Sequence, residues 1–146
     1  MRVSRIARVL VLLLSVGMVA GACSKSTKGG TGSSPSGSGG TMTIGSDAAN
    51  DKGTTSVSGK TEIEVEMDNF YFKPTVLKGT PGQELKIELS NEESPLHNFT
   101  LQAQSIDQDV VQGQKADVTV TFPQSGFLEF FCKYHKARGM VGELST

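Results

Sequence analysis

Three side chains that can bind a soft metal ion lie within one nine-residue segment near the end of the chain. Cys132, His135 and Met140 follow the spacing Cys-x2-His-x4-Met, and the only other histidine, His97, lies 35 residues before the cysteine. Two imidazoles, one thiolate and one long thioether bond make up a trigonal copper site of the electron-transfer kind. These four residues are the predicted ligands of one copper ion that cycles between Cu(I) and Cu(II).

Each of these residues also has an ordinary explanation when it is taken alone. His97 follows a proline turn and could be a surface histidine, Cys132 could be a small buried apolar residue, and Met140 could fill core space. Zinc is a further alternative, but zinc prefers four strong ligands and fits a methionine-containing set less well. The combination of all four residues at this spacing favours copper.

The first 22 residues have the composition of an export signal. Three arginines precede an apolar run over residues 9–19, and small residues occupy positions 20–22. The run is shorter than the roughly 20 residues that span a bilayer. The next residue, Cys23, stands where a bacterial lipoprotein carries its lipidated cysteine; the alternative is a free N-terminal thiol. We expect a lipid anchor on Cys23 that holds the protein outside the cytoplasmic membrane.

The second cysteine then needs an explanation. Exported proteins reside where disulfides form, and a lipidated Cys23 leaves Cys132 without a partner. A Cys23–Cys132 disulfide is the alternative, although the low-complexity segment between the two cysteines would make it a poor staple. Metal ligation accounts for an unpaired cysteine in an exported protein.

Residues 23–60 are predicted to form a flexible tether. Positions 24–60 contain nine Gly, nine Ser and six Thr but no aromatic residue. Such a composition buries too little apolar surface to offset the entropy lost on ordering. All nine aromatic residues lie at or after Phe70, so the folded domain is predicted over residues 61–146.

The predicted domain has a period of two, which is typical of strands with one buried face. Apolar and polar residues alternate over residues 62–67, 85–89 and 118–122, and Leu128, Phe130 and Cys132 share a face of the next segment. Turn signals separate these segments, and no stretch shows a helical period. The glutamates at 62, 64 and 66 are interpreted as a solvated strand face rather than a cation site. The pattern predicts an all-β fold, either a sandwich or a barrel.

Several motifs besides the ligand spacing carry a family resemblance. They are Pro95-Leu96-His97-Asn98-Phe99, the run from Phe127 to Cys132, Asn69-Phe70-Tyr71-Phe72-Lys73-Pro74 and Gly79-Thr80-Pro81-Gly82. On these residues the domain resembles the cupredoxins, small blue copper proteins of the plastocyanin and pseudoazurin type. This resemblance implies a Greek-key β-sandwich with copper near one end, held by His97, His135 and the Cys132 thiolate, with Met140 as a weak axial ligand. It also implies that Asn98 braces the site near the cysteine sulfur without binding the metal.

The loop between the predicted ligands departs from the family pattern. Tyr134 stands where many relatives have proline, and three basic residues, Lys133, Lys136 and Arg138, lie in a domain with 7 Lys+Arg and 13 Asp+Glu, or −6. These three residues are predicted to dock a redox partner with an acidic face; the alternative is a solvated loop. The acidic body argues against nucleic-acid binding.

The sequence therefore predicts a monomeric blue copper electron carrier that shuttles single electrons between a protein donor and a protein acceptor. It is not expected to be an enzyme, because all four copper positions are filled by protein ligands. The alternative is an extracytoplasmic copper-binding protein for trafficking or storage. A single free cysteine and only five methionines in the chain disfavour that alternative.

Overall fold

The computed structural model describes residues 39–146, which form twelve strands and two short 3-10 turns. The all-β prediction is confirmed, and no helix of the described residues is long and apolar enough to cross a membrane. The predicted export signal, Cys23 and the first part of the predicted tether lie outside the described residues. The strands are β1 (Gly40–Ile44), β2 (Asp47–Asp51), β3 (Thr54–Ser56), β4 (Glu62–Asp68), β5 (Tyr71–Lys73), β6 (Val76–Lys78), β7 (Glu84–Asn91), β8 (His97–Leu101), β9 (Ile106–Val110), β10 (Gln114–Thr121), β11 (Phe127–Phe131) and β12 (Val141–Ser145).

Two larger sheets and one hairpin make up the architecture. The four-stranded sheet has the order β10-β7-β4-β5, and the six-stranded sheet has the order β3-β6-β12-β11-β8-β9. Pairing is parallel between β4 and β7 and between β12 and β6, so crossovers join strands that are distant in sequence. Buried side chains of both sheets form one core, as expected for the predicted β-sandwich.

The alternating pattern places apolar side chains in this core. In β4, Val65 and Met67 are buried while the glutamates between them are exposed. Three phenylalanines connect the sheets: the Phe72 ring lies 5.0 Å from the Phe130 ring, which stacks 4.8 Å from the Phe99 ring. Burial of each such side chain contributes about 1.5–3 kcal/mol to stability.

The interpretation of the β4 glutamates as a solvated strand face is confirmed by their exposure. Each glutamate forms an exposed ion pair, which stabilises a protein only weakly. The pairs are Glu62 with Lys86, Glu64 with Lys115 and Glu66 with Lys73.

The predicted start of the folded domain at residue 61 is wrong, because residues 40–56 belong to the fold and not to a flexible tether. Strands β1 and β2 form a hairpin, and β3 adds a parallel strand to the edge of the six-stranded sheet beside β6. Ile44 and Ala49 of the hairpin are buried against Val141. A few apolar residues at strand spacing are sufficient here, although the glycine- and serine-rich composition of the whole segment conceals them.

Candidate metal centre

Adjacent strands of the six-stranded sheet bring the two ends of the candidate site together. His97 is the first residue of β8, and Cys132 directly follows β11, which pairs with β8. The backbone N–H of Cys132 donates a 3.0 Å hydrogen bond to the Met140 carbonyl, and the His135 N–H donates one to the Cys132 carbonyl. These bonds close residues 132–140 into a compact turn, which we call the ligand loop.

The structure brings three of the predicted metal-binding atoms together. The donor atoms of His97, Cys132 and His135 all lie within 4.8 Å of one another, and Cys132 Sγ lies 3.4 Å from His135 Nδ1. Met140 is fully buried, and its N–H donates to the His135 carbonyl at 3.3 Å. His97 and Cys132 are also fully buried, whereas His135 is half-buried.

The imidazole of His97 is the clearest sign that this cluster binds a metal ion. Both of its ring nitrogens are buried, and neither has a hydrogen-bond partner among residues 39–146. An unsatisfied buried polar group costs about 1–3 kcal/mol, and coordination of a metal ion would satisfy one nitrogen. Burial, with a smaller contribution from His135, lowers the pKa of His97 to about 4, so the imidazole is neutral near pH 7, as a metal ligand must be.

The thiol of Cys132 lies in an environment with two opposing effects. Burial raises the pKa of Cys132, while hydrogen bonds from the backbone N–H groups of Tyr134, Asn98 and His135 lower it. The net effect is a raised pKa, so the metal-free site holds a protonated thiol near neutral pH. A cation that binds here displaces that proton, and the three N–H donors are already placed to stabilise the thiolate.

Asn98 lies in a buried hydrogen-bond network behind the sulfur. Its side-chain amide donates to Asp107 Oδ1 and to Asp109 Oδ1, each at 2.7 Å. Its Oδ1 accepts a hydrogen bond from Thr100 Oγ1 and a long one of 3.5 Å from the Lys133 N–H. The side chain thus holds β8, the strand whose backbone N–H at Asn98 contacts Cys132. Its role as a brace of the site stays a prediction.

The two lysines of the ligand loop are held by carboxylates and do not point freely to solvent. Each Nζ lies between two acidic groups, so each cluster of one lysine and two carboxylates has a formal charge of −1. The prediction of free cationic docking residues therefore finds no support from these lysines. The pairs are Lys133 with Asp107 at 2.7 Å and Asp109 at 3.0 Å, and Lys136 with Glu129 at 2.7 Å and Asp47 at 3.1 Å.

The third basic residue, Arg138, packs on an aromatic ring that the sequence analysis did not connect to the site. Its guanidinium lies 4.6 Å from the Phe70 ring centroid, and the Phe70 ring lies 4.7 Å from the His135 ring. Tyr134 is 47% exposed beside the same imidazole, and its hydroxyl donates to Asp109 Oδ2. His135 therefore reaches the surface between two aromatic side chains.

Comparison with known proteins agrees with this fold. The family model described as a cupredoxin-like domain matches residues 40–144, whereas no curated protein sequence matches the chain. The reduced auracyanin of Roseiflexus castenholzii is 19% identical over 59% of this chain and 96% of its own, with a TM-score of 0.50. The metal-binding domain of a Cu(I)-exporting P-type ATPase of Streptococcus pneumoniae is 12% identical over 62% of this chain and 94% of its own, also with a TM-score of 0.50.

A third solved structure, oxidised plastocyanin of Dryopteris crassirhizoma, is 22% identical over 57% of this chain and 98% of its own, with a TM-score of 0.46. At these identities the first two structures show a shared fold. The family match covers most of the chain, and with the thiolate and imidazole donors it confirms the predicted cofactor, one copper ion. The chain belongs to the cupredoxin-like family.

Proposed function

We propose that this protein is a type 1 copper electron carrier whose ion is held by His97, Cys132 and His135, with Met140 as a weak axial ligand. The observation that carries the proposal is the fully buried His97, neither of whose ring nitrogens has a hydrogen-bond partner in the described part of the chain. One of these nitrogens lies with the Cys132 and His135 donors inside 4.8 Å. Thiolate and thioether suit Cu(I), and imidazole suits both oxidation states. A bound copper ion would supply reversible one-electron chemistry at this point.

The chain contributes a site that changes little between oxidation states. His97 lies at the start of a fully buried strand, and Cys132 is held by backbone hydrogen bonds to His135 and Met140 of the ligand loop. The side-chain network of Asn98 fixes β8 against β9 at the same level. Donors held this firmly need little rearrangement when the charge of the ion changes, and this favours fast electron transfer.

Electrons are proposed to enter and leave through the ring of His135. Its imidazole is the half-buried member of the donor set, while His97, Cys132 and Met140 have no exposed surface. The proposed ligands fill the coordination positions and leave none for a substrate, so the protein is a carrier rather than an enzyme. A protein donor and a protein acceptor would meet the monomer at this end.

We further propose that the carrier works outside the cytoplasmic membrane, anchored through lipid on Cys23. Cys132 is a buried free thiol in the described part of the chain, and its use as a copper ligand leaves Cys23 available for lipidation. Cell fractionation tests this proposal: the wild-type protein should stay with the membranes, and Cys23→Ser should release it. A wild-type mature N-terminus without lipid, found by mass spectrometry, would contradict the anchor.

Reconstitution with Cu(II) tests the copper site itself. The purified protein should bind one equivalent of copper and show the intense blue absorption of a copper thiolate, and Cys132→Ala should abolish it. Cys23→Ser is the matched control, because it removes the other cysteine of the chain and should leave the colour unchanged. A colourless one-to-one adduct of the wild-type protein would refute the proposal.

Redox cycling separates an electron carrier from a protein for copper trafficking or storage. A carrier should be reduced and reoxidised repeatedly without loss of its copper to a competing chelator. A trafficking protein should instead release Cu(I) to the chelator after the first reduction. Measuring the blue absorption recovered after each cycle distinguishes the two functions.

A further inference from the structure

The hairpin formed by β1 and β2, residues 40–51, packs against the ligand loop. Ile44 and Ala49 are buried against Val141, the residue that follows Met140. Asp47 of the hairpin also forms a 3.1 Å ion pair with Lys136 in the loop. The hairpin therefore contacts the loop through the charge of Lys136 and packs against Val141, the residue directly after the loop.

One residue of the hairpin, Asn50, makes three hydrogen bonds to the surroundings of the proposed copper site. Its side-chain Nδ2 donates to the Arg138 carbonyl at 2.8 Å and to the Phe70 carbonyl at 2.9 Å. Its backbone N–H donates to the Gly139 carbonyl at 2.9 Å. Asn50 therefore joins two consecutive carbonyls of the loop to the turn between β4 and β5, which carries Phe70.

The hairpin adds hydrogen bonds at the end of the 3-10 turn in the loop. This turn, Lys136–Arg138, ends at Gly139, which has a left-handed φ of 87°. Among the described residues, the Arg138 carbonyl accepts its hydrogen bond from the side chain of Asn50, whereas the Gly139 carbonyl also accepts one from the Val141 N–H. The bond to Arg138 is exposed, so it fixes the position of the turn rather than satisfying a buried carbonyl.

The contact is also tight enough to fix the position of the loop. A Cβ atom at Gly139 would lie only 2.9 Å from Asn50 Nδ2, so the hairpin and the loop leave no room for a side chain there. The second bond of the amide holds the Phe70 backbone, and the Phe70 ring lies 4.7 Å from the His135 ring. Asn50 thus acts on two of the three proposed ligands of the loop, His135 through Phe70 and Met140 through Gly139.

We propose that the hairpin is a brace for the ligand loop and that Asn50 is a positioning residue for the copper site. This inference rests on the proposed function, because it gives the hairpin its role through two of the proposed ligands, His135 and Met140. Asn50 does not bind the metal. It fixes the backbone on which His135 and Met140 are held, and copper affinity follows from that.

The test compares two substitutions of neighbouring residues. Asn50→Asp keeps the shape of the side chain but removes both N–H donors and places a carboxylate against two carbonyls. Asp51→Ala is the matched control, because it removes a side-chain hydrogen bond of the same strand, from the Gly53 N–H to Asp51 Oδ1, that does not reach the loop. If Asn50→Asp does not fold, Asn50→Ala removes the donors without adding a charge.

Two measurements are made on each protein: hydrogen exchange of the loop amides without metal, and copper affinity by competition with a chelator. Loss of the Asn50 donors should speed exchange at Arg138, Gly139 and Met140 and weaken copper binding by roughly tenfold, the lower end of the range for residues that support metal ligands. Asp51→Ala should match the wild type in both. Unchanged exchange in Asn50→Asp, or equal changes in both variants, would overturn the proposal.

The two proposals fail in different ways. A wild-type protein that binds copper without a blue thiolate absorption refutes the proposed function, whatever the hairpin does. Exchange in the metal-free protein reports on the brace alone, because no copper is present in that experiment. Wild-type exchange rates in the Asn50 variants refute the brace even when the wild-type protein is blue.

Discussion

The metal-free protein should lose stability in mildly acidic solution because of His97. This imidazole has no exposed surface, and its burial lowers its pKa from 6.5 to about 4, with a further contribution from the nearby His135. In the unfolded chain the same group binds a proton at about pH 6.5. Between these values the unfolded state holds more protons than the folded state. Stability is therefore complete above pH 6.5 and falls as the pH decreases toward 4.

The size of this loss follows from the difference between the two pKa values. At about 1.4 kcal/mol for each pH unit, the folded state loses about 2 kcal/mol by pH 5 and about 3 kcal/mol by pH 4. This is a large part of the total stability of a small domain, which is typically about 5–15 kcal/mol. The pKa of His135 is lowered too, by burial and then by Arg138, so this histidine adds a loss of the same sign.

Urea unfolding of the metal-free protein at pH 7.5 and pH 5 measures the effect. The wild-type free energy of unfolding should fall by about 2 kcal/mol from His97, and His97→Gln, which cannot titrate, should lose less over the same interval. The copper-loaded protein should be less sensitive, because a coordinated imidazole cannot take up a proton at its ligating nitrogen. Equal pH dependence in the wild-type protein and in metal-free His97→Gln would refute this reasoning.

Other substitutions test the packing and the charges around the site. Gly142→Ala should destabilise the metal-free protein by about 1–3 kcal/mol in urea unfolding, because the added Cβ overlaps the Phe130 ring; an unchanged midpoint would contradict the packing of β12 on that ring. Asp109→Asn should raise the reduction potential of bound copper, since a carboxylate beside the thiolate favours Cu(II). Lys133→Met should lower the potential, because it removes the cation that is paired with Asp109. A redox titration of the blue absorption measures both shifts, and shifts of the same sign would refute the electrostatic argument. Lys115→Met should leave the urea midpoint nearly unchanged, because the ion pairs of Lys115 are exposed and exposed pairs stabilise a protein only weakly. A large decrease of the midpoint would show that these pairs contribute more to stability than exposed pairs usually do.

The strands that build the core could be predicted because each has a regular local pattern. In β4, β7 and β10 apolar residues alternate with polar ones, and each of these apolar residues is buried or half-buried; this pattern requires no knowledge of distant contacts. The residues of the candidate site were equally accessible, since three of them share one short loop and the chain contains one other histidine. Local spacing is therefore sufficient to predict a strand or a metal site when one short segment contains the whole pattern.

The hairpin could not be predicted in the same way. Its composition is that of a flexible segment, and its apolar contribution is limited to a few residues such as Ile44 and Ala49. What orders it are contacts with the far end of the chain, such as the bond from Asn50 to Arg138, 88 residues later. Neither composition nor periodicity indicates a contact between residues so far apart in the sequence. The ordered hairpin and its proposed role can therefore be recognised only from the three-dimensional structure.

The ion pairs around the proposed copper site also join residues that are distant in sequence, and they change the partner that we expect. The sequence places Lys133 and Lys136 beside the ligands, but β2, β9 and β11 bring two carboxylates to each amine. Over residues 39–146 the 9 Lys+Arg and 15 Asp+Glu leave a net charge of −6. We expect steering by this field to favour a partner with a basic face over the acidic face inferred from the loop lysines. Close docking would then depend on the partly exposed rings of His135 and Tyr134, because both loop lysines are paired with carboxylates and Arg138 packs on Phe70.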